Sequence, residues 1–585
     1  DAKPCADGRK VAFIRGRELF VADVATKKET QLTKGAPEGV TRGQSDFNAQ
    51  EEFGEPSGYF WSPDCKTIAF LEVDERKVAE VPVVGYRGGN TDLMMQRYPR
   101  AGGVNPTVSL HLVDVTTQKV QRVTLSSDVA GASPYLGRFR FSGDGKWLGF
   151  FALARSQRKI ALVKVPIGKP AEATTILGWG RGADAAEWIE MPDLACNPKG
   201  TTCYFNADAD GHDHLFRTDF VHGGRDQMTK GDFDVVHIAG VDEESRAYVN
   251  ATKDEPIGRP LYRVDLAGVM ERLTPERGWH DVVVSGAGVV ADVHSAIDRP
   301  PTAVVFGKDK RHEIPIPRDA DFDALGIRPP ALVTVETPGL PRLFGAVLAP
   351  RTLEPGKTHP VVWMVYGGPG VQTVVDRWSP RLHWQHLADR GFFVMQFDNR
   401  GSAGRGQAFA TPIAKELGKV ELDDQLRALD WAAGKHPIDI RRVGIYGHSY
   451  GGTMAAMAML KFPGRFRSAV SASPVTDWRL YDTGYTERYM LTPQDNPTGY
   501  TVTDLEQLAG NLRGDLLVVH ALMDENVHFQ HSADLVDALV KAKKPFEMFV
   551  FPGERHGYRS PAAREYAMGM VTRFLVRTLG TQPSL

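Results

Sequence analysis

Residues 442–458 read Arg-Val-Gly-Ile-Tyr-Gly-His-Ser-Tyr-Gly-Gly-Thr-Met-Ala-Ala-Met-Ala, and this stretch decides the fold of the C-terminal part of the chain. An apolar strand runs into a Gly-x-Ser-x-Gly turn, which opens a helix of small residues. The glycines remove the Cβ atoms that would obstruct so sharp a turn, and the turn lifts Ser449 above the end of the sheet. A serine held in this way is a candidate nucleophile, and a purely structural turn is the alternative.

On both sides of this turn, nearly continuous apolar runs alternate with segments of helical periodicity. Strands buried on both faces are predicted for 360–365, 392–397 and 516–520. Helices are predicted for 423–433, 453–461, 532–543 and 563–579. Strands that alternate with helices indicate a mainly parallel α/β domain over residues 331–585, and the serine turn makes it an α/β-hydrolase domain.

Residues 1–330 follow a different pattern, in which short alternating strands and tight turns recur about every 40 residues. The repeats are clearest from residues 8, 62, 143, 202 and 247. One such sheet cannot bury both faces alone, so an N-terminal β-propeller of radially arranged sheets is predicted, with a large β-sandwich as the alternative. The chain opens in the middle of a repeat, so either a strand from elsewhere completes the first blade or the propeller is N-terminally incomplete.

Composition excludes two classes of protein. The 585 residues carry a formal net charge of −2, without the basic excess that binding to nucleic-acid phosphates requires. No apolar run approaches the ~20 residues that span a bilayer, so no membrane span is predicted. The length is enough for more than one core.

The four cysteines leave the redox state open. None lies in a C-x-x-C pair, so a metal site is not predicted. Cys196 and Cys203 flank a short turn, and either a disulfide closes across it or both thiols are buried and free. A disulfide would indicate an oxidising compartment. Residues 1–4 show no basic and apolar leader, which is compatible with a signal peptide that has been removed.

A serine hydroxyl is a weak nucleophile unless a base takes its proton and an acid orients that base. In an α/β-hydrolase the partners follow in the order serine, acid, histidine, each after a strand. Asp524 and His556 occupy such positions, and Glu525 is the rival acid. His448 on the turn and His520 within a strand are better explained as structural histidines.

Acyl transfer also needs donors that stabilise an oxyanion. The backbone N–H of Tyr450, directly after the serine, is one candidate. Tyr366, in a Tyr-Gly-Gly-Pro loop after an early strand, is the second candidate, although such a loop is more often only a turn.

Several motifs together resemble the prolyl oligopeptidase family of serine peptidases. In the C-terminal domain they are Tyr-Gly-Gly-Pro-Gly at 366–370, Gly-His-Ser-Tyr-Gly-Gly at 447–452, Asp-Glu-Asn-Val-His-Phe-Gln at 524–530 and Arg-His-Gly-Tyr at 555–558. Three more segments resemble the dipeptidyl peptidase IV branch of that family: Gln-Glu-Glu-Phe-Gly at 50–54, the stretch 98–106 and the stretch 481–490.

The resemblance implies a role for each matching residue. It makes Ser449, Asp524 and His556 the triad, and Tyr366 the oxyanion tyrosine. It also implies that Glu51 and Glu52 hold the free α-amino group of the substrate and that Asn526 lies near the substrate carbonyl. The residues that match the apolar pocket for proline are Val475, Trp478, Tyr481, Tyr485 and Val527. The alternative for the glutamates is a pair of surface charges, and for the tyrosines it is core packing.

The function that the resemblance implies is a serine exopeptidase that releases N-terminal Xaa-Pro, or less well Xaa-Ala, dipeptides from peptides with a free N-terminus. No cofactor or metal is expected, a homodimer is expected, and the location is expected to be periplasmic or secreted. A tripeptidyl or acylaminoacyl peptidase, a carboxylesterase and an inactive propeller scaffold are the alternatives. The branch also uses an arginine on the substrate carbonyl, and no arginine here can be matched to it.

Overall fold

The computed structural model describes residues 1–87, 89–125, 131, 133–182, 185–308, 310–317 and 319–580. Six antiparallel sheets follow one another from the N-terminus, and one eight-stranded mixed sheet follows them. The predicted fold class, an N-terminal β-propeller followed by an α/β-hydrolase domain, is confirmed.

The first three blades contain the early repeats. Blade 1 comprises β1 (Ala2–Pro4), β2 (Lys10–Arg15), β3 (Glu18–Asp23) and β4 (Glu29–Gln31). Blade 2 comprises β5 (Val40–Arg42), β6 (Tyr59–Trp61), β7 (Thr67–Asp74), β10 (Thr107–Asp114) and β11 (Val120–Arg122), with the separate hairpin β8 (Glu80–Arg87) and β9 (Asn90–Arg97) inserted. Blade 3 comprises β12 (Tyr135–Phe141), β13 (Trp147–Leu153), β14 (Lys159–Pro166) and β15 (Thr174–Gly180).

The next three blades have four strands each. Blade 4 comprises β16 (Leu194–Cys196), β17 (Thr202–Ala209), β18 (His212–Asp219) and β19 (Asp226–Gln227). Blade 5 comprises β20 (Val235–Val241), β21 (Ala247–Ala251), β22 (Leu261–Val264) and β23 (Met270–Arg272). Blade 6 comprises β24 (Trp279–Val284), β25 (Val290–Ala296), β26 (Arg299–Phe306) and β27 (Arg311–Ile314).

Successive blades pack face to face, which buries the apolar side of each sheet. The first strands of blades 3 to 6 lie against one another, β12 on β16, β16 on β20 and β20 on β24. Between blades 3 and 4 the rings of Phe151 and Phe205 meet edge to face at 5.9 Å. Each sheet therefore uses its neighbour to cover the face that it cannot bury alone.

Two features of the blades are not visible in the repeat pattern alone. Blade 1 has four strands among the described residues, and the first is Ala2–Pro4, where Ala2 pairs with Phe13. Three residues are too few to show periodicity, which is why the strand is missed in the sequence. Blade 6 is a sixth repeat, beyond the five clear ones.

The eight-stranded sheet carries the C-terminal part of the chain. Its order is β28-β29-β31-β30-β32-β33-β34-β35, parallel from β31 onward. The strands are β28 (Ala331–Thr337), β29 (Leu340–Leu348), β30 (His359–Met364), β31 (Phe393–Phe397), β32 (Ile438–His448), β33 (Ser468–Ala472), β34 (Asp515–Ala521) and β35 (Glu547–Phe551). We propose the domain division at 330/331 because this sheet opens at Ala331.

The described residues form eleven α-helices, of which α1 lies in the propeller. They are α1 (Phe47–Glu51), α2 (Ala320–Ala324), α3 (Leu382–Ala388), α4 (Gln407–Ala410), α5 (Lys419–Lys435), α6 (Tyr450–Lys461), α7 (Thr483–Met490), α8 (Pro497–Val502), α9 (Leu505–Leu508), α10 (Gln530–Lys541) and α11 (Pro561–Leu579). Single 3-10 turns lie at Pro170–Glu172, Thr411–Ile413, Trp478–Leu480 and Ala509–Asn511. The four predicted helices are α5, α6, α10 and α11, with ends displaced by a few residues.

Two disulfides tie the propeller. Cys196 and Cys203 are directly paired across β16 and β17, and they are bonded to each other. Cys5 and Cys65 are bonded between blades 1 and 2, a link that no pattern in the sequence predicts. Among the described helices, none is both long and apolar enough to cross a membrane.

Candidate active site

Ser449 lies on a strained turn between β32 and α6. Its φ of 59° lies in the left-handed region, and its N–H donates to the Ala472 carbonyl at 2.8 Å. A Cβ on Gly447 would lie 2.3 Å from the Gly451 oxygen, and a Cβ on Gly451 would lie 2.3 Å from the Val365 oxygen. The backbone therefore approaches so closely that only glycine fits on either side of the serine.

Asp524 and His556 meet after β34 and β35. His556 Nδ1 lies 2.8 Å from Asp524 Oδ2, and because a carboxylate only accepts, Nδ1 carries the proton. Asp524 is fully buried, and its Oδ1 accepts the N–H groups of Asn526 at 3.1 Å and Val527 at 2.8 Å. The carboxylate is thus fixed from both sides and aims the His556 ring.

The charges in this pair support each other. Burial disfavours ionisation of Asp524, but the charge of His556 and hydrogen bonds from His520 and His556 hold its pKa far below the usual range. Burial likewise opposes the imidazolium of His556, yet Asp524, with Glu51 and Glu525, raises the pKa of His556 above its usual value. The ring is therefore a stronger base than an isolated imidazole.

His520 and His448, the two histidines near the Asp524–His556 pair, have structural roles. His520 is buried, with Nδ1 at 2.6 Å from Ser532 Oγ and Nε2 at 2.8 Å from the Val527 carbonyl. Burial lowers the pKa of His448 to about 3, so this ring, 4.7 Å from that of His556, stays neutral. Glu525, the rival acid, pairs with Arg555 and Arg559 instead of a histidine ring nitrogen.

The two candidate oxyanion donors lie on either side of the serine turn. Tyr450 is the first residue of α6, where a backbone N–H has no partner within the helix. Its side chain points away, and its hydroxyl donates to Glu421 Oε1 at 2.7 Å in the core. Tyr366 lines the same cavity as Ser449, and burial raises the pKa of its phenol to about 12, so it remains a donor.

Glu51 and Glu52 end the short helix α1, which the propeller presents to the peptidase domain. Asp46 caps the helix by accepting the Ala49 N–H at 3.2 Å. Buried Asn48 fastens the helix to the start of α7, because its Nδ2 donates to Thr483 Oγ1 at 2.8 Å. Both glutamates line the cavity that contains Ser449.

The two carboxyl groups have unequal environments. Burial, and then the charge of Asp482, raises the pKa of Glu52 well above its usual range, whereas burial raises that of Glu51 less far. Asp482 is fully buried and caps α7 by accepting the Tyr485 N–H at 2.8 Å. Two carboxyl groups that hydrogen-bond to each other do not both ionise readily, so protonation of one of them is favoured.

Asn526 connects the acidic pair to the triad loop. Its Nδ2 donates to Glu51 Oε1 at 2.7 Å, and its Oδ1 accepts the Tyr481 hydroxyl at 2.8 Å. Its backbone N–H donates to Asp524 Oδ1. Asn526 thus fixes the spacing between Glu51 and Asp524.

The predicted apolar pocket is an aromatic cluster on the segment before and within α7. Trp478 and Tyr485 stack at 5.9 Å, and Tyr481 meets Tyr485 edge to face at 5.5 Å. Tyr481 and Tyr485 line the cavity. Val475, Trp478 and Val527 are buried behind these rings in the hydrophobic core, and they do not line the cavity.

The cavity itself has a volume of about 560 Å³ and lies between the two domains. Its walls also contain Glu190, Arg488 and Tyr489, to which the sequence assigns no individual role, although the last two lie in the stretch 481–490. Arg488 is the one arginine among the described lining residues, and its Nη2 donates to the Glu52 carbonyl at 3.3 Å. The available signal was the charged Glu487-Arg488 pair inside an otherwise buried helix.

Segment 98–103 joins the propeller to the pocket. The Ala101 N–H donates to the Tyr481 carbonyl and the Thr483 N–H donates to the Pro99 carbonyl, both at 2.8 Å. The Tyr98 hydroxyl donates to the Asn526 carbonyl at 3.0 Å. The pocket walls are therefore held by both domains.

Comparison with known protein families agrees with this geometry. A family model described as the dipeptidyl peptidase IV (DPP IV) N-terminal region matches residues 1–301. A model described as the prolyl oligopeptidase family matches residues 378–582. The chain belongs to the prolyl oligopeptidase family, in its dipeptidyl peptidase IV branch. The predicted enzyme class, a serine peptidase of this family, is confirmed.

Its relatives in this family are similar over almost the whole chain. Human dipeptidyl peptidase 8 is 28% identical over 100% of this chain and 75% of its own length. A probable dipeptidyl-aminopeptidase B of Talaromyces marneffei is 29% identical over 97% of this chain and 67% of its own. The crystal structure of Porphyromonas gingivalis dipeptidyl peptidase 4 superposes with a TM-score of 0.90, at 29% identity, over 99% of this chain and 82% of that one.

Proposed function

We propose that this chain is a dipeptidyl peptidase that releases Xaa-Pro, and less well Xaa-Ala, dipeptides from peptides with a free N-terminus. The observation that carries the proposal is the bridge from Glu51 through Asn526 to Asp524, with a 2.7 Å bond from Asn526 Nδ2 to Glu51. Because this bridge sets the distance from an amine-binding carboxylate to the catalytic centre, it limits how many residues fit between the N-terminus and the scissile bond.

In the proposed reaction, Ser449 Oγ attacks the carbonyl carbon of the second residue while His556 takes the serine proton. Asp524 stabilises the resulting imidazolium, and the Tyr450 N–H and the Tyr366 hydroxyl donate to the oxyanion. His556 then gives its proton to the leaving amine, and the dipeptide remains as an ester on Ser449. Water, activated by His556, hydrolyses that ester.

Two features of the cavity support the substrate class. An ammonium group entering beside Glu51 and Glu52 stabilises their ionised forms. The rings of Tyr481 and Tyr485 offer an apolar surface that suits a pyrrolidine, which has no N–H to satisfy. A blocked N-terminus would bring no positive charge to Glu51 and Glu52, and this argues against an acylaminoacyl peptidase.

Mass spectrometry of the released fragments tests the proposal. A peptide with an unblocked N-terminus, proline at position 2 and alanine at position 3 offers both a dipeptide and a tripeptide product. Release of the dipeptide alone is expected. Release of the tripeptide, or internal cleavage, would favour the tripeptidyl or endopeptidase alternatives, and turnover of simple esters without any peptide cleavage would favour a carboxylesterase.

We also propose an oxidising compartment, periplasmic or secreted, and a homodimer. The two disulfides support the first. Only the resemblance supports the second. Thiol labelling of protein taken from its native compartment, with and without reductant, tests the location, and sedimentation velocity tests the assembly.

A further inference from the structure

A cluster of metal-ligating side chains lies in blade 6, remote in sequence from the triad. His280 on β24 pairs directly with His294 on β25, and Asp292 precedes His294 by two residues on the same face of that strand. All three are buried: His280, His294 and Asp292 expose 2%, 5% and 1% of their surfaces. The sequence signal is the combination of His280 with Asp-x-His at 292–294.

The hydrogen-bonding groups in this cluster do not satisfy one another. His280 Nε2 lies 3.0 Å from the Glu276 carbonyl, which accepts, so Nε2 carries the proton of the neutral ring. Its Nδ1 then presents a lone pair to Asp292 Oδ2 at 2.9 Å. Either a second proton on the ring or a cation between the two atoms is needed to make this contact favourable.

His294, the third side chain of the cluster, also lacks a satisfactory hydrogen-bond partner. His294 Nδ1 lies 3.3 Å from the same Asp292 oxygen. Among the described residues, His294 Nδ1 and Asp292 Oδ1 are buried without a hydrogen-bond partner. A second proton on His280 would resolve one contact, but it would leave these two atoms unsatisfied in a buried place.

We propose that His280 Nδ1, His294 Nδ1 and the Asp292 carboxylate bind a divalent transition-metal ion, with Zn²⁺ as the ion that this donor set fits best. The three ligand atoms lie within 4.8 Å of one another. Around tetrahedral zinc, bonds of about 2.0–2.1 Å place ligand atoms roughly 3.3 Å apart. The Nε2 bond to the Glu276 carbonyl is the kind of outer contact that orients a ligating histidine.

Glu276, whose carbonyl contacts His280, also has a carboxylate that is only partly satisfied. Its Oε1 pairs with Arg311 at 2.7 Å, whereas its Oε2 is buried without a hydrogen-bond partner among the described residues. Arg299, at the start of β26, lies close to the cluster. The guanidinium of Arg299 is directed elsewhere, because its Nη2 donates to the Arg277 carbonyl at 2.8 Å.

The metal site has a structural purpose at the junction of the domains. The Ile297 N–H, just after β25, donates to Asp376 Oδ1 at 2.7 Å, and Arg277 pairs with the same carboxylate. The Trp378 N–H donates to Ser295 Oγ at 3.2 Å. An ion that joins β24 to β25 would therefore stabilise the edge on which residues 376–378 of the peptidase domain rest.

Metal analysis of tag-free protein tests the site. The wild type is stripped with a chelator, reloaded with Zn²⁺ and dialysed, and its zinc content and melting temperature are measured. The expected result is one retained zinc per chain and a higher Tm than that of the stripped protein. His294→Gln should weaken zinc binding at least about tenfold, whereas His312→Gln, an exposed histidine on β27 of the same blade, should not.

Two outcomes would overturn the proposal. One is a wild type that retains no stoichiometric zinc and melts at the same temperature with and without it. The other is a His294→Gln protein that binds zinc as tightly as His312→Gln. If His294→Gln does not fold, Co²⁺-loaded wild type decides: the d–d spectrum of histidine-ligated cobalt, lost with Asp292→Asn, supports the site, and its absence contradicts it.

Discussion

At the scale of single residues, the proposed triad is the part of the site that the sequence identifies most directly. Ser449 is marked by its glycines, and Asp524 and His556 by their order and by the strands that precede them. Asp482, Glu190 and Arg488 are different, because they matter only where the propeller closes over the peptidase domain. No local pattern in the sequence encodes that closure.

The substitution Asp524→Asn tests the role of the buried acid. The amide would keep the shape of the loop but would no longer fix the proton on His556 Nδ1 or stabilise the imidazolium. We expect kcat to fall about 10³- to 10⁴-fold with little change in KM. A Glu525→Gln protein is the matched control, and a comparable loss there would contradict the assignment of Asp524.

The pH dependence of KM tests the proton held by Glu52 and Asp482. A raised carboxyl pKa means that protonation occurs at a higher pH than usual, so amine binding should weaken and KM should rise as the pH falls through that range. Asp482→Asn removes the neighbouring charge and keeps an acceptor for the Tyr485 N–H. We expect the rise in KM to move to lower pH.

The pH dependence of kcat, which reports on His556, can be separated from the pH dependence of KM. His556 must be neutral to act as a base, and its pKa is raised, so kcat should also fall on the acidic side. Asp482→Asn should leave that fall in kcat where it is. An unchanged KM profile would show that Asp482 does not act on the amine site.

At the scale of elements, helix α1 shows how tertiary contacts complete what local sequence begins. Five residues are too few for an independently stable helix, so Phe47–Glu51 depends on its Asp46 cap and on its contact with α7. The sequence identifies the two glutamates by resemblance but does not reveal the helix. Similarly, α6 begins at Tyr450 and not at the predicted residue 453, because Gly451 and Gly452 conceal the first turn.

Asn48→Ala tests the docking of α1 on α7. It removes the bond to Thr483 Oγ1 and leaves that buried hydroxyl with fewer partners. We expect KM for free-amine dipeptide substrates to rise about tenfold, equivalent to roughly 1.4 kcal/mol, with kcat little changed. Turnover of a small acetyl ester, which does not use α1, is the control, and an equal loss of ester turnover would indicate general misfolding.

At the scale of the whole molecule, the repeat pattern is sufficient to predict the propeller, and the alternating elements are sufficient to predict the α/β-hydrolase domain. The sequence does not predict how the propeller packs against the peptidase domain. That packing consists of long-range contacts such as Ala101 with Tyr481 and Asn48 with Thr483, which join residues hundreds of positions apart.

The two disulfides should stabilise the molecule unequally. Cys5 and Cys65 are 60 residues apart in sequence, whereas Cys196 and Cys203 are 7 apart. Loop-closure entropy predicts a stabilisation of about 4 kcal/mol for the first and about 2 kcal/mol for the second. Thermal unfolding of Cys5→Ser with Cys65→Ser should therefore show the larger loss in Tm than Cys196→Ser with Cys203→Ser, and the reverse order would refute this account.

The central claim is that the carboxylates of Glu51 and Glu52 bind the free N-terminus of the substrate, and that Ser449, His556 and Asp524 cleave the peptide bond after its second residue. The most direct measurement is steady-state hydrolysis of Gly-Pro-p-nitroanilide beside its N-acetylated form, by the wild type and by Glu51→Gln with Glu52→Gln. We predict cleavage of the free amine alone, and loss of that cleavage in the double variant. Equal cleavage of both substrates by the wild type would contradict the claim.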